Sequence, residues 1–208
     1  METKPTYWLL QGIGLSCIRD DRVLFEGLTF ELVSGQVLLL EGKNGSGKNS
    51  LLRILCGFRE PDAGEVFWCG DAINISQYYE DMAYVGHLDG VKKELTVLEN
   101  LKVSLALGRS GQYSIQQALT KVHLADYDDV LVQALSAGQK RRLSLARLLI
   151  TKNIVWILDE PFTSLDKQGI ALIETLMSEH CASGGMIVLT SHHDIELHGV
   201  DVQRINLS

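Results

Sequence analysis

The residues with the clearest capacity for chemistry lie in one short stretch, Gly42-Lys-Asn-Gly-Ser-Gly-Lys48-Asn49. It fits the pattern G-x-x-x-x-G-K-[ST] at every fixed position except the last. Its glycines permit a tight turn whose backbone N–H groups point inward at phosphate oxygens. A helix starting there adds the positive end of its dipole, and Lys48 adds a point charge for β- and γ-phosphates. Gly42, Lys43, Asn44, Gly45, Ser46, Gly47, Lys48, Asn49 and Ser50 therefore form a candidate phosphate cradle. The plain alternative is a glycine-rich strand–turn–helix connection.

Asn49 is the departure. A Ser or Thr hydroxyl normally binds Mg²⁺ at this position. The Asn49 carbonyl oxygen sits on a longer side chain, and Mg²⁺ demands near-ideal octahedral geometry. Ser50 is no simple replacement, because one step along a helix turns the side chain by about 100°. The expectation is nucleotide binding with weakened Mg²⁺ coordination and slowed hydrolysis.

A second set of groups follows far downstream. Ile154-Val-Trp-Ile-Leu-Asp159-Glu160-Pro161 carries two acids at the end of an apolar run. In open α/β sheets, ligands sit beyond the carboxyl ends of the strands. Asp159 is placed to hold Mg²⁺, directly or through water. Glu160 is placed to polarise an attacking water as general base. A solvated Asp-Glu-Pro turn would read the same way in isolation; the upstream phosphate loop decides against it.

These groups need a scaffold, and the chain around them describes one. Val23-Leu-Phe and Leu28-Thr-Phe-Glu-Leu read as short strands, and Val37–Glu41 reads as a buried strand. Leu51, Leu52, Ile54 and Leu55 follow at helical spacing, with Gly57 as a stop. The middle, from about Ser76 to Leu135, is more polar and reads as helical, with Val97, Leu98, Leu101 and Leu105 on one helix. From Ser136 onward helix and strand alternate: Leu143, Ala146 and Ile150 share a helix face, and Ile154–Leu158 and Met186–Thr190 are apolar strands. Continuous apolar strands between helices imply a parallel sheet covered on both faces.

Leu135-Ser-Ala-Gly-Gln139, followed by Lys140-Arg-Arg142, precedes the acidic strand. Ser136 reads locally as an N-cap. With the phosphate loop and the acidic strand end, this string resembles the LSGGQ signature of the ATP-binding cassette ATPases. Ser164-Leu165-Asp166 resembles the family's D-loop, and Thr190-Ser-His192 its switch loop, where spacing favours His192 over His193. Leu95–Asn100 resembles the entry to the family's helical subdomain. Local strings narrow the likeness to one branch, the haem exporter ATP-binding subunits of bacterial cytochrome c maturation. They include Tyr84-Val-Gly-His87, Pro61–Trp68, Lys93–Leu101 and Leu135–Arg147.

The resemblance implies a fold, a site and an assembly. The fold is an α/β P-loop NTPase of the cassette type, with a mixed or parallel core sheet, an N-terminal antiparallel β subdomain and a helical subdomain. Residues 1–85 and 150–208 make the core and nucleotide site, and about 86–149 the helical subdomain and signature. ATP and Mg²⁺ are the implied ligands. Lys48, Glu160 and His192 are the implied catalytic set; Ser136, Gly138 and Gln139 bind the nucleotide of a second copy. Asn49, Asp159 and His87, which replaces the usual loop glutamine, are the implied metal set. The usual adenine-stacking aromatic is missing. Arg19 either stacks its guanidinium plane on the base or is a solvated surface arginine.

The implied activity is ATP hydrolysis coupled to an integral membrane partner, on the cytoplasmic side of the bacterial inner membrane, by a homodimer of ATPase subunits. No direct haem ligation is expected. The rivals are a non-transport cassette ATPase, such as an iron–sulfur assembly factor, and an ATP-gated module that scarcely turns over because of Asn49.

Composition limits these choices. The 208 residues allow one large or two small domains, and 46% hydrophobic with 22% charged residues excludes a disordered chain. With 19 Lys and Arg against 26 Asp and Glu, the net charge is −7, which argues against nucleic-acid coating and direct anionic-lipid binding. No apolar run approaches the roughly 18 residues that span a bilayer. Met1–Pro5 shows no basic start to a secretory signal. The chain stops shortly after His192, so no regulatory C-terminal domain is expected. Cys17, Cys56, Cys69 and Cys181 form no CxxC or metal spacing and read as buried, reduced thiols.

Overall fold

The computed structural model describes residues 8–207, so the reading of Met1–Pro5 falls outside the described residues. Two sheets carry the chain. One is antiparallel, formed by β1 (Leu9–Arg19), β2 (Arg22–Val33), β4 (Ala63–Trp68) and β5 (Asp71–Ala72) in the order β2-β1-β4-β5. The other contains β3 (Gln36–Glu41), β6 (Met82–Val85), β7 (Val155–Asp159), β8 (Met186–Thr190) and β9 (Asp201–Asn206) in the order β6-β7-β8-β3-β9. Every pair in this second sheet is parallel. The helices are α1 (Lys48–Leu55), α2 (Ser76–Asp81), α3 (Val97–Leu107), α4 (Ile115–Lys121), α5 (Ala137–Ile150) and α6 (Lys167–Ala182).

The parallel sheet is buried on both faces, and its side chains sort by the two-residue period of a strand. Val37, Leu39, Trp156, Leu158, Ile187 and Leu189 face a core shared with α3 to α6. Leu38, Leu40, Val155, Ile157, Met186 and Val188 face a second core shared with α1 and the antiparallel sheet. The helical segment has no core of its own: Val97, Leu101, Ala118 and Leu119 belong to the same cluster as α5 and α6. Among the described residues no helix is long and apolar enough to cross a membrane.

Two elements differ from the sequence reading. The two short runs at 23–32 are one strand, β2, which continues through Gly27 by an irregularity opposite Leu15 and Cys17. Gly27 takes φ +65° there and donates its N–H to Ser16 Oγ at 3.1 Å. The polar middle also contains β6, the edge strand of the parallel sheet. Its four residues are too few to show a period. The corner before it is fixed by buried Asp81, which accepts from Trp68 Nε1 (3.2 Å), Gln77 Nε2 (2.8 Å) and Arg109 (2.5 Å).

Local chemistry sets the helix starts. α3, α4 and α5 each open with a capping box: Thr96 with Glu99, Ser114 with Gln117, Ser136 with Gln139. Of the four free cysteines, Cys17, Cys56 and Cys181 are buried, whereas Cys69 is only half-buried. Burial pushes the thiols of Cys56 and Cys181 up to about 12, which keeps them protonated and inert.

His180, in the last turn of α6, stacks on Trp156 with ring centroids 3.8 Å apart and planes 8° from parallel. Its Nε2 lies 3.1 Å from the Ile154 carbonyl, so the neutral ring carries its proton on Nε2. Burial pulls its pKa down to about 4. The unfolded chain therefore binds a proton at His180 between about pH 6.5 and 4 that the folded chain does not, and stability falls with pH across that window. The full effect is on the order of 3 kcal/mol. Thermal unfolding measured from pH 7 to 4.5 should show this loss, and His180→Phe, which keeps the stack without the titration, should flatten it.

Candidate active site

The carboxyl ends of β3 and β7 and the start of α1 border one cleft of about 740 Å³. Arg19, Asn44, Gly45, Gly47, Lys48, Asn49, Ser50, His87, Asp159, Glu160 and His192 line it, so most of the residues singled out from sequence meet here. Gly42, Lys43 and Ser46 border the adjoining hollow, beside Leu24 and Asn206. Arg22, Leu24 and Thr163 also line the main cleft and were not foreseen.

The loop is a backbone cradle. Gly42 has φ +139°, and a Cβ there would collide with the Leu207 carbonyl and Ser46 Oγ. Gly47 occupies the N-cap of α1 at φ 108° with no side-chain cap, so the first N–H groups of the helix have no capping side chain. Lys48 is buried and donates from Nζ to the carbonyls of Gly42 (2.5 Å) and Lys43 (3.2 Å). It is folded back over its own loop. Asn49 is exposed at the cleft, and Ser50 beside it is buried.

The register of the sheet places Asp159 on β7 directly beside Thr190 on β8. Thr190 Oγ1 donates to Asp159 Oδ1 at 2.9 Å and accepts from the Glu160 N–H at 2.9 Å. Glu160 itself adopts a left-handed backbone, φ 49°. For a residue with a Cβ this costs about 1–3 kcal/mol and persists only where the surroundings enforce it. His192 Nε2 stands 3.4 Å from Glu160 Oε1, with the histidine more than half exposed. Ser191 Oγ bonds the His193 backbone at both ends, at 2.9 Å each, and this turn carries His192.

Arg19 lines the cleft as an exposed residue paired with Asp20 at 3.6 Å. Ser136, Gly138 and Gln139 lie outside the cleft. Gln139 Oε1 accepts from the Ser136 N–H at 2.8 Å, and a Cβ on Gly138 would come within 2.8 Å of the Ser164 carbonyl. The signature thus packs on the segment after β7, away from the phosphate loop of its own chain.

One further residue escaped the sequence reading. Arg141, on α5, is buried and donates to the carbonyls of Asp159 (2.7 Å), Glu160 (2.7 Å), Pro161 (3.0 Å) and Gly86 (2.8 Å). The available signal was its place on the apolar stripe of α5, four residues before Leu145 and seven before Leu148. A charge on such a stripe is seldom left unpaired.

The ABC transporter family matches residues 25–163 of the chain. A cytochrome c biogenesis ATP-binding export protein of Methylococcus capsulatus is 50% identical over 199 residues, which cover 94% of this chain and 96% of that one. The protein of the same name from Vibrio vulnificus is 45% identical over 203 residues, covering 96% and 99%. Among solved structures, a Pyrococcus furiosus chain superposes with a TM-score of 0.82 at 26% identity, covering 96% of this chain and 97% of that one. The ATP-binding subunit of an ABC transporter superposes with a TM-score of 0.79 at 26% identity, covering 88% and 79%. The chain belongs to the ABC transporter family of ATPases, and within it groups with the cytochrome c biogenesis ATP-binding export proteins.

Proposed function

We propose that the chain is the ATP-binding and hydrolysing subunit of a haem exporter serving cytochrome c biogenesis. The observation that carries this reading is near full-length similarity to the export proteins, joined to a cleft that gathers Lys48, Asp159, Glu160 and His192. In this reading Lys48 leaves its loop carbonyls for the β- and γ-phosphates, and the N–H groups of the loop and of α1 hold the remaining oxygens. Glu160 takes the proton of the attacking water. His192, 3.4 Å from that carboxylate, touches the γ-phosphate and orients Glu160.

Mg²⁺ fits the oxygen donors that border the cleft. Asp159 has Oδ1 engaged by Thr190 and a second oxygen that would hold the metal, and Asn49, whose side-chain carbonyl would be the other protein donor, lines the same cleft. One or two protein oxygens completed by phosphates and water is the set Mg²⁺ uses. When bound, Mg²⁺ neutralises charge on the β- and γ-phosphates. His87 lines the same cleft and would lie outside the ion's own ligands, since imidazole suits softer metals.

Ser136, Gly138 and Gln139 do not line the cleft of their own phosphate loop, which favours a homodimer in which each signature closes the nucleotide site of the other copy. Residues 1–85 with 150–208 act as the core, and about 86–149 as the lobe that meets integral membrane subunits on the cytoplasmic side of the inner membrane. Arg19 is the residue of this chain we assign to the adenine side of the cleft.

In a host that depends on this chain, Lys48→Ala should leave c-type cytochromes without covalent haem, read by haem staining. Tagged wild-type chain should isolate with polytopic membrane proteins. Normal cytochrome maturation in the Lys48→Ala host overturns the reading. Asn49→Thr restores the missing hydroxyl, so its hydrolysis should rise several-fold and need less Mg²⁺ for half-maximal rate. An unchanged rate and Mg²⁺ requirement would show that Asn49 does not limit turnover.

A further inference from the structure

An arginine that is 3% exposed inside a helix calls for an explanation, because its charge has been taken from water. Burial pulls the Arg141 pKa below the ordinary arginine value, with Asp89 opposing. What Arg141 gains is an unusual set of acceptors. Its Nη2 reaches two consecutive carbonyls, Asp159 and Glu160, both at 2.7 Å, and its Nε reaches the next, Pro161, at 3.0 Å. In an extended strand, successive groups point to opposite sides. One nitrogen can meet both carbonyls only if the backbone reverses between them, and Glu160 makes that reversal with φ 49°.

The other side of the guanidinium faces a different segment. Nη1 donates to the Gly86 carbonyl at 2.8 Å and lies 3.5 Å from Asp89 Oδ1. A second arginine on the same helix, Arg147, donates to the Gly90 carbonyl at 2.6 Å. The loop that carries His87 is thus tied to α5 at both ends of a five-residue span, and through Arg141 to the end of β7.

We propose that Arg141 is the positioning residue that holds the reversed backbone of Glu160 and makes it depend on the placement of the loop at 86–90. This rests on the reading of Glu160 as the general base. Arg141 does not touch nucleotide; it acts through Glu160. A lysine keeps the charge but offers one nitrogen, which cannot span Asp159, Pro161 and Gly86 together.

The test is a double-mutant cycle on the full chain, reading steady-state ATP hydrolysis. Arg141→Lys should lower kcat about tenfold or more with the KM for ATP within about twofold of wild type, because it disturbs the base and not the cradle. Glu160→Gln should lower kcat about a hundredfold or more. Arg141→Lys in the Glu160→Gln background should cost less than about twofold further, since nothing remains for Arg141 to position. Asp89→Asn, at a partly exposed side chain, should lower kcat more mildly and should likewise have no effect in the Glu160→Gln background. If Arg141→Lys does not fold, as judged by loss of a thermal transition, the Asp89 cycle decides alone. Wild-type kcat in both Arg141→Lys and Asp89→Asn, or equal losses in the two backgrounds, overturns the positioning role. A wild-type rate in Glu160→Gln overturns the base assignment instead, whatever Arg141 does.

Discussion

The reversed backbone at Glu160 is the constraint on which the site depends. A left-handed residue with a Cβ does not hold that conformation unaided. Here it is gripped from both sides: Thr190 accepts its N–H, and Arg141 donates to its carbonyl and to those of its two neighbours. Without the reversal, β7 would run straight on, and Asp159 and Glu160 would lie on opposite faces of the strand. With it, both carboxylates border one cleft.

That grip is possible only because of the sheet around it. Thr190 stands beside Asp159 through parallel register, and the register is set by strands whose every residue is buried. A slip by one residue would exchange the two core faces wholesale, moving Trp156, Leu158 and Leu189 into the space filled by Val155, Ile157 and Val188. Packing on both faces therefore fixes the strand end that carries Asp159 and Glu160, and the Thr190–Asp159 hydrogen bond adds to that hold.

Much of this was legible in the residues. The phosphate loop, the acidic strand end and the signature are local strings whose chemistry needs fixed spacing, and apolar runs such as Val37–Leu40 and Ile154–Leu158 announce buried strands. The elements that were missed have a common physical cause. β6 is four residues long and lies at an edge, so its pairing with β7 is a tertiary fact with no periodic trace. β2 is continuous because β1 carries matching irregularities, a property of two strands together. Thr190 and Arg141 act through partners remote in sequence, so their residue types alone suggest a strand β-branched residue and a solvated helix charge. Asn49 was visible as a departure at once, because the pattern around it leaves a single residue type out of place.

The helical segment and the sheet share one apolar core, and α5 is the wall between them. Interiors packed at crystal-like density do not deform smoothly, so a push on the helical lobe is poorly suited to reach the site by squeezing side chains. Hydrogen bonds to a guanidinium are different: each is made or broken discretely, and Arg141 has donors on both sides of the wall. The loop at 86–90 is exposed where it touches this wall, with Leu88 84% exposed and Asp89 paired inward. A contact that lifts this loop removes acceptors from one face of Arg141 while the other face still holds Glu160. The polar partners of one guanidinium thus join an exposed loop to the backbone of Glu160 across a wall that is otherwise apolar.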